Sequence, residues 1–417
     1  MNNAVLIMAT LDTKGVEVAY IKELFEENEK KALVLDMSLR GSGEGIRCDI
    51  SRKILLNAVG IDIETLCAMP RGEAIEVMIP GIVQAVRDLY EEGKFKAIMT
   101  LGGFDGALLA AGAMRALPLG VPKFLLTPVA QGKQTFGDFV GTSDMVIMHS
   151  VIDIFGVNEV SRKVFRNAVG AVCGMMDSKV NTQLEGKNVV AMTMYGNTTP
   201  AAMVAKEKFE KNGYEVVVFH PNGTGGMCME ELIDWGLFTG VFDLTTHEIT
   251  DWLYHGVHAG GPSRLEAAGK KGIPQVVVPG GVDFILMGPA DTLAPEFKQR
   301  KHYKFNPAVS LVSTTPDEME RIAGVMAEKL NKAQGPTSVL IPSRGFSMYC
   351  HEGEPLYNPE RDKAFIDAFK KYLAPHIQVK ELDAHINDRF FAETAAEEMM
   401  RLMSVHYGYH SKIGRSA

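Results

Sequence analysis

Thr10-Leu11-Asp12-Thr13-Lys14-Gly15 is the stretch that decides the fold. It follows the apolar run Ala4 to Ala9 and precedes Val16 to Phe25, whose apolar residues recur at helical spacing. This order predicts a strand, a polar turn and a helix, and α/β sheets bind ligands outside the carboxyl ends of their strands. Amide groups at a helix start, with a lysine beside them, suit an anionic ligand. The alternative is that Asp12 or Thr13 simply caps the helix.

The same order recurs in the second half of the chain. Val189 to Met194 is apolar, Tyr195 to Pro200 is a small polar turn, and Ala201 to Phe209 again has helical spacing. Asp12 aligns with Asn197 at an offset of 197 − 12 = 185 residues. We therefore predict an α/β protein made of two Rossmann-like subdomains, with mainly parallel sheets and a cleft between them.

The length of 417 residues also favours more than one core. The polar segment 177–187 is the predicted boundary. It gives an N-terminal subdomain of residues 1–184, which we expect to bind ATP, and a C-terminal subdomain of residues 185–417, which we expect to hold a substrate or metal site.

Two further patterns predict helices between these motifs. Ser51 to Glu92 is helical in spacing, with expected breaks at Pro70 and Pro80. Val151 to Met176 is partly apolar and reads as one long helical region.

Composition narrows the class of protein. Hydrophobic residues make up 46% and charged residues 23% of the chain, which are globular values, and the net charge is −8. Since there is no long basic block and no apolar run of membrane-spanning length, we expect neither nucleic acid nor membrane partners. The amino terminus lacks a signal-peptide pattern, and five scattered cysteines without a CxxC motif indicate reduced thiols. We therefore predict a cytoplasmic protein.

A glycine-rich turn in the first half is a second candidate for ligand contact. Gly102-Gly103-Phe104-Asp105-Gly106 follows a predicted strand and opens an alanine-rich helix. Glycines permit close backbone approach, and the helix amides can bind an anion. The turn is neither a P-loop nor a complete GxGxxG, so a simple tight turn is the alternative. Arg40 lies in another glycine-containing loop that suits a phosphate or a flexible connection equally.

Polar turns also end the strands of the second half. We predict that they contact a small-molecule substrate through backbone amides, hydroxyls and one guanidinium. The predicted substrate-binding residues are Asn197, Thr198, Gly223, Thr224, Gly225, Gly226 and Arg344.

The densest polar cluster lies within Asp243 to Asp251. Asp243, His247 and Glu248 supply carboxylate and imidazole groups for acid–base or metal chemistry, as does His385 near the end of the chain. With His255 and His258 close behind, a metal site is conceivable, although the spacing is not His-Glu-x-x-His and the metal is unknown. A polar substrate pocket, or an acidic helix start, is the competing interpretation.

The motifs together resemble one family. They comprise the Thr10 stretch, Leu117 to Lys123, Val140 to Asp144, Gly223 to Gly226, Asp243 to Thr246, Val278 to Gly280 and His385 to Asp388. The chain is similar over its whole length to a largely uncharacterised family that includes the amino-terminal ATP-binding domain of the tomato mosaic virus resistance protein.

The resemblance implies ATP binding in the first half and a homodimer. Its candidate ATP contacts in this sequence are Thr10, Asp12, Thr13, Lys14, Arg40, Gly102, Gly103 and Gly106. This sequence departs from the family's Gly-Gly-Ser-x-Gly-Thr turn, because Phe104 and Ala107 replace the hydroxyls and Asp105 adds a carboxylate. We expect the lost hydroxyls and the added negative charge to weaken triphosphate binding, unless Mg²⁺ binds Asp105. Phe305 also stands where the family usually has histidine.

Three functional hypotheses follow. The first is an ATP-binding metabolic enzyme for a small anionic metabolite, with Lys14 on phosphate and Asp12 or Asp105 on Mg²⁺. The second is a nucleotide-independent lyase, isomerase or hydrolase that uses the Asp243 to Glu248 region with His385 and is possibly metal-dependent. The third is a non-catalytic interaction module, by analogy with the plant relative.

Overall fold

The computed structural model describes residues 3–41, 46–130, 137–178 and 188–408, with the side chains of residues 137 and 138 excluded. Contacts between Cα atoms divide the chain into two compact units, residues 1–181 and residues 182–417. The predicted boundary after residue 184 falls outside the described residues. In the part of the chain that is described, no helix is long and apolar enough to cross a membrane.

The first unit is a parallel sheet covered by helices. Its strands are β1 (Ala4–Ala9), β2 (Lys31–Asp36), β3 (Ala97–Leu101), β4 (Lys123–Thr127) and β5 (Val146–His149). Its helices are α1 (Leu11–Glu27), α2 (Arg52–Val59), α3 (Ile63–Ala68), α4 (Arg71–Glu91), α5 (Phe104–Arg115), α6 (Gly137–Val140) and α7 (Glu159–Asp177). The strand order is β2-β1-β3-β4-β5, and every pairing is parallel.

Strand β1 is buried on both faces. Leu6 and Met8 belong to one apolar core, and Val5 and Ile7 belong to another on the opposite side of the sheet. Successive side chains of a strand point to opposite faces, so a strand covered on both sides must be apolar throughout. This explains the unbroken run that precedes Thr10.

Two predicted helix boundaries are wrong. Helix α4 continues through Pro80 instead of breaking there. Helix α7 begins at Glu159 rather than near Val151, because the Asn158 side chain accepts hydrogen bonds from the amides of Val160 and Ser161 and caps the helix.

The second unit repeats this plan and adds to it. Its strands are β6 (Val189–Thr193), β7 (Glu215–Phe219), β8 (Gly240–Thr245), β9 (Gln275–Gly280), β10 (Phe284–Met287), β11 (His302–Lys304), β12 (Ser310–Ser313), β13 (Thr337–Pro342) and β14 (Gln378–Leu382). Its helices are α8 (Thr199–Lys211), α9 (Thr224–Asp234), α10 (His247–Tyr254), α11 (Ala267–Lys271), α12 (Pro295–Lys298), α13 (Pro316–Leu330), α14 (Pro359–Tyr372) and α15 (Arg389–Tyr407). Single 3₁₀ turns occur at Gly196–Thr198 and Ala290–Thr292.

The main sheet of this unit is parallel, in the order β14-β13-β9-β8-β6-β7. A separate antiparallel sheet, β10-β12-β11, is inserted after β9. The two Rossmann-like parallel sheets confirm the predicted fold class.

Both main sheets share one topological feature. In each, the unit's first strand lies between its second and third, and the first strands begin 189 − 4 = 185 residues apart. The strand order reverses there, between β1 and β3 in the first unit and between β6 and β8 in the second. A crevice outside the carboxyl ends at such a switch point is the usual ligand site of an open α/β sheet.

Candidate functional site

The turn after β1 lies at the first switch point, but its amides already have partners. The amide of Leu11 donates to Asp36 Oδ1 at 3.3 Å, and that of Asp12 donates to Ser38 Oγ at 3.0 Å. Thr10 Oγ1 lies 3.1 Å from Thr13 Oγ1. The chain's own Asp36 carboxylate thus occupies the start of α1, where we predicted an anionic ligand.

The two cations predicted to contact ATP also have partners. Lys14 Nζ donates to the carbonyl of Ile154. Arg40 donates to the carbonyls of Leu66, at 2.6 Å, and Met69. Asp12 Oδ2 accepts from the amide of Gly41 at 3.2 Å. These contacts tie loops of the first unit together, and the ATP-contacting roles of Thr10, Asp12, Thr13, Lys14 and Arg40 stay predictions.

The glycine-rich turn after β3 is more open. A Cβ at Gly103 would meet no atom within 4 Å, and neither Gly102, Gly103 nor Gly106 has a positive φ. Among the described residues, the amides of the first turn of α5, Phe104 to Gly106, have no acceptor. Asp105 Oδ2 lies 2.5 Å from Arg71 Nε, so its charge is offset by a cation. At this switch point, the start of α5 is therefore better placed than that of α1 to receive an anion.

In the second unit, Arg264 is completely buried among three carboxylates, and we call these four residues the Arg264 cluster. Its guanidinium lies 2.6 Å from Asp243 Oδ2, 2.6 Å from Glu248 Oε2 and 3.2 Å from Glu230 Oε1. Asp243 Oδ1 also accepts from Thr193 Oγ1 at 2.8 Å. Burial raises the pKa of Glu248 and Glu230, and Arg264 partly offsets this effect.

The glycine turn before α9 holds a side chain of the same cluster. Glu248 Oε1 accepts from the amides of Gly223, at 2.7 Å, and Gly226, at 3.0 Å. A Cβ at Gly226 would lie only 1.8 Å from Glu248 Oε2. Gly225 N donates to Asn222 Oδ1, and Thr224 is exposed. The predicted anion cradle is thus filled by Glu248, and these contacts favour structural roles for Asp243 and Glu248 over the catalytic roles we predicted.

A cavity of about 320 Å³ lies at the second switch point. Most of its wall is aromatic or aliphatic, and its polar groups are few. The lining residues are Tyr195, Gly196, Asn197, His220, His258, Phe284, Leu286, Phe305, Asn306, Val309, Leu311 and Tyr349. A concave, largely apolar wall with a few polar groups is typical of small-molecule sites.

Asn197 is the most telling polar group of this wall. The residue is 2% exposed, and neither Oδ1 nor Nδ2 has a hydrogen-bond partner among the described residues. Its backbone carbonyl accepts from Asn387 Nδ2 at 2.9 Å and from the amide of Met348 at 3.3 Å. By contrast, the neighbouring Thr198 hydroxyl is paired with Thr245 Oγ1 at 2.7 Å. The backbone of Asn197 is fixed while its carboxamide is unpaired.

His247 lies beside this wall, at the start of α10. Its ring packs 4.5 Å from that of Phe284 and 5.4 Å from that of Tyr195, measured between centroids. Nδ1 lies 2.9 Å from the carbonyl of Gly281, and Nε2 lies 3.3 Å from Asp251 Oδ2 without hydrogen-bond geometry. A ligating nitrogen of His258 completes a group whose donor atoms all lie within 4.8 Å of one another. We call His247, Asp251 and His258 the His247 cluster.

Burial and charge act differently on the two histidines. Burial lowers the pKa of His258 to about 4, with the neighbouring His247 adding to the effect. Burial also lowers the pKa of His247, but Asp251 and the Gly281 carbonyl outweigh it and leave that pKa raised. Burial therefore favours the neutral form of His258, whereas Asp251 favours the charged form of His247.

The two remaining predicted residues do not line the cavity. His385 Nε2 lies 2.9 Å from the carbonyl of Ser347, and its Nδ1 accepts from the amide of Asn387 at 3.2 Å. Arg344 is exposed and forms a two-point contact with Asp383, at 2.6 and 2.7 Å. His385 supports the loop that holds Asn197, and its catalytic role, like the substrate role of Arg344, stays a prediction.

Sequence reasoning gave no role to Arg264 or to Tyr195. Arg264 follows Gly260-Gly261-Pro262, which reads as an ordinary helix start, yet α11 begins only at Ala267. Tyr195 was seen only as part of a turn, yet its hydroxyl lies 3.1 Å from His258 Nδ1. The alignment of Tyr195 to Pro200 with the Thr10 turn was the one available signal.

The fold and site define a class: an α/β protein of two units, each built on a parallel sheet, with a largely apolar cavity at the switch point of the second. Residues 3–181 match the N-terminal domain and residues 187–403 the C-terminal domain of the uncharacterised protein family UPF0261. The chain belongs to that family.

Two relatives illustrate the range of the family. A UPF0261 protein of Clostridium tetani is 40% identical over 405 residues, which are 97% of this chain and 100% of the relative. The ToMV resistance protein Tm-1(GCR237) of Solanum lycopersicum is 38% identical over 339 residues, which are 80% of this chain and 45% of the plant protein. The predicted resemblance to the plant protein is confirmed.

Solved structures are more distant. UDP-GlcNAc 2-epimerase from Neisseria meningitidis bound to UDP-GlcNAc is 11% identical, with 66% of this chain and 82% of that chain covered and a TM-score of 0.23. UDP-N-acetylglucosamine 2-epimerase from Rickettsia bellii is 12% identical, with 99% of each chain covered and a TM-score of 0.23. At such scores the similarity carries no argument about this chain.

Proposed function

We propose that this protein is a metabolic enzyme that takes a small anionic metabolite into the cavity of the second unit. The observation that carries the proposal is the Asn197 carboxamide, which is buried at the switch point and finds no hydrogen-bond partner for either polar atom in the described part of the chain. An unpaired buried amide lowers stability, so its presence at a cavity indicates that a ligand supplies the missing hydrogen bonds. His247 is a candidate for acid–base or metal chemistry, because its Nε2 has no hydrogen-bond partner among the described residues and lies beside the same wall.

The size and lining of the cavity limit the substrate. A volume of about 320 Å³ suits a metabolite of a few carbon atoms rather than a polymer. None of the described residues that line it is lysine or arginine. A carboxylate or phosphate ligand would therefore depend on neutral side chains of the lining, on imidazoles or on a bound cation for its polar contacts. The polar side chains of the lining are Tyr195, Asn197, His220, His258, Asn306 and Tyr349.

We further propose that ATP, with or without Mg²⁺, binds at the switch point of the first sheet. The donor set fits the phosphates at one place, the start of α5, where Gly103 leaves open space and the first amides have no acceptor among the described residues. Gly102, Gly103 and Gly106 would hold the phosphates, and Asp105 would hold Mg²⁺ only by giving up Arg71. The similarity to the plant protein supports this part of the proposal.

One observation favours a second candidate, an enzyme that uses no nucleotide. Lys14 and Arg40, the cations predicted to contact ATP, both donate to backbone carbonyls of their own unit. A triphosphate would have to displace these contacts or bind without them.

Titration calorimetry with Mg·ATP separates these two candidates. We expect wild-type protein to bind ATP and Gly103→Val to bind it at least about tenfold more weakly, because the new side chain fills the space at the start of α5. Gly170→Val on α7 is the matched control, since a Cβ there also meets no atom within 4 Å. No heat of binding to the wild type would overturn the ATP proposal and favour the second candidate.

The cavity is tested with a panel of small carboxylates and phosphomonoesters in thermal denaturation. We expect at least one compound to raise the melting temperature of the wild type but not that of Asn197→Leu, with the exposed Lys332→Met as a control that responds like the wild type. If every compound acts equally on wild type and Asn197→Leu, the cavity is not the substrate site.

A cytoplasmic location and a homodimer also stay proposals. None of the five cysteines, all of which lie in the described ranges, forms a disulfide. Exposed apolar side chains of the first unit include Phe155, at 82%, and Val151, at 68%. Light scattering of wild type and Phe155→Ser would show whether this surface associates.

A further inference from the structure

We propose that the His247 cluster binds one divalent transition-metal ion, zinc by the chemistry of its ligands, with an open coordination position toward the cavity. Two imidazoles and one carboxylate form a ligand set that favours zinc over calcium and magnesium, which prefer oxygen ligands alone. The inference rests on the proposed function, since it names the cofactor of the same cavity. It is the one group of three or more such side chains with this spacing among the described residues.

The separation of His247 Nε2 from Asp251 Oδ2 fits two ligands of one tetrahedral ion. Zinc binds nitrogen and carboxylate oxygen at about 2.0–2.2 Å, so two ligands of one tetrahedron lie roughly 3.3–3.5 Å apart. His247 Nε2 and Asp251 Oδ2 are separated by 3.3 Å, and all three donor atoms lie within 4.8 Å of one another. His247 and Asp251 stand at positions i and i+4 of α10 and therefore share one face of that helix.

The ring orientation of His247 also favours a metal. A carbonyl can only accept, so the contact of 2.9 Å with Gly281 places a proton on Nδ1 and directs Nε2 toward Asp251. Nε2 is fully buried, yet its contact with Asp251 lacks hydrogen-bond geometry. Metal-bound histidines usually donate their other ring N–H to a carbonyl or carboxylate, as His247 Nδ1 does to Gly281, and here Nε2 lies beside Asp251, the proposed second ligand.

The other two ligands, Asp251 and His258, are also held in place. The Tyr195 hydroxyl lies 3.1 Å from His258 Nδ1, and backbone amides hold Asp251. Asp251 Oδ1 accepts from the amide of Leu286 at 2.9 Å, and Oδ2 accepts from the amide of His258 at 2.8 Å. A Cβ at Gly256 would lie 2.2 Å from the carboxylate, so glycine is needed there. Such outer contacts orient metal ligands before the ion arrives.

The cavity side of the cluster suits catalysis. His258 and Tyr195 line the cavity, and three protein ligands leave a fourth position for water or substrate. A cation there would supply the positive charge that the lining side chains lack and would attract a carboxylate or phosphate group.

The test uses untagged full-length protein, freed of metal by a chelator and titrated with Zn²⁺ by calorimetry. We expect one ion per chain and, with Co²⁺ as a spectroscopic substitute, visible absorption of tetrahedral intensity. His258→Gln and Asp251→Asn should weaken binding at least a hundredfold. His255→Asn is the matched control, because His255 is an exposed neighbour with a φ of 56° that asparagine tolerates.

Circular dichroism keeps the outcomes distinct. His258→Gln that is folded and binds Zn²⁺ like the wild type, or a wild type without stoichiometric binding, would overturn the metal site. The Zn²⁺ titration contains no metabolite, so its result is independent of the compound panel. Stoichiometric Zn²⁺ binding would sustain the metal site even if no compound of the panel bound the cavity, a result that would overturn the proposed function. If a compound binds the cavity but the wild type takes up no Zn²⁺, the proposed function stands and the metal site is wrong.

Discussion

Two neighbouring residues of α10, His247 and Glu248, belong to clusters of opposite character. In the Arg264 cluster, both oxygens of Glu248 accept hydrogen bonds, and the guanidinium contacts three carboxylates. In the His247 cluster, Nε2 has no hydrogen-bond partner among the described residues, and the adjacent cavity wall holds an unpaired carboxamide at Asn197. Both clusters are polar and buried except for the partly exposed His258, so burial alone does not separate them.

The two clusters differ in whether their buried polar atoms have hydrogen-bond partners. A buried charge network with every oxygen paired fixes the geometry of loops, and the Arg264 cluster joins the ends of β8, α9 and α10 in this way. A buried group left unpaired is a loss of stability that persists where a ligand compensates it. The comparison therefore favours a structural role for the Arg264 cluster and supports the proposed ligand-binding role of the His247 cluster.

Removal of the arginine gives the largest expected effect. Arg264→Met leaves Asp243, Glu248 and Glu230 as buried carboxylates without a cation, and we expect the free energy of unfolding to fall by about 3–5 kcal/mol. Urea denaturation followed by circular dichroism measures it. Arg344→Met is the control, because that arginine pairs with Asp383 at the exposed surface and its loss should leave stability unchanged. Equal stability of the two variants would remove the distinction between the clusters.

The glycine turns give the next effect. Gly226→Ala places a Cβ 1.8 Å from Glu248 Oε2, and we expect the free energy of unfolding to fall by roughly 1–3 kcal/mol. Gly103→Ala in the first unit meets no atom within 4 Å and should change stability by less than about 0.5 kcal/mol. Urea midpoints of the two variants test the claim that one turn holds a side chain and the other is open. A destabilised Gly103→Ala variant would contradict it.

The sequence predicted the parallel sheets well because their signals are local. The runs Ala4 to Ala9 and Val189 to Met194 are strands, and the offset of 185 residues between Asp12 and Asn197 recurs in the starts of β1 and β6. Helix ends were less predictable. Helix α4 continues through Pro80, because the packing around it overrides the local preference of proline to end a helix. Helix α7 begins after Asn158, whose capping side chain is not revealed by the periodicity of apolar residues.

The candidate site was less predictable, because its contacts are distant in sequence. The prediction grouped Asp243, His247 and Glu248 because they are close in sequence. In the structure Arg264 pairs with Asp243 and Glu248, whereas His247 lies on the other side of α10. The antiparallel sheet of β10, β11 and β12, which supplies Phe284 and Leu311 to the cavity wall, was missed because β11 is polar and only three residues long. Two glycine-rich turns look alike in sequence but differ in the structure. The turn at Gly226 holds the Glu248 carboxylate, whereas the turn at Gly103 borders open space, and only three-dimensional contacts tell the two turns apart.

Asn197 and Thr198 offer a smaller and sharper contrast. Asn197→Leu keeps the branching of the side chain and removes the unpaired amide, and the adjacent cavity leaves room for it. We expect the free energy of unfolding to rise by about 1 kcal/mol. Thr198→Val should lower it by about 1 kcal/mol, because Thr245 loses its hydroxyl partner. Parallel urea titrations of the two variants decide the matter. If both destabilise the protein, the carboxamide of Asn197 is satisfied in the ligand-free protein and the open character of its site is wrong.

His385 gives the smallest effect, and its sign distinguishes support from catalysis. Burial lowers the pKa of His385, and Nδ1 is an acceptor for the amide of Asn387, a contact that protonation would break. The unfolded chain, with a histidine pKa near 6.5, therefore binds more protons than the folded chain as the pH falls below that value, so stability is lost toward acid. We expect the advantage of wild type over His385→Asn in urea denaturation to be larger at pH 7.5 than at pH 5.5. An advantage that does not shrink toward acid would mean that His385 is not held neutral by its loop, and would restore it as a candidate acid–base group.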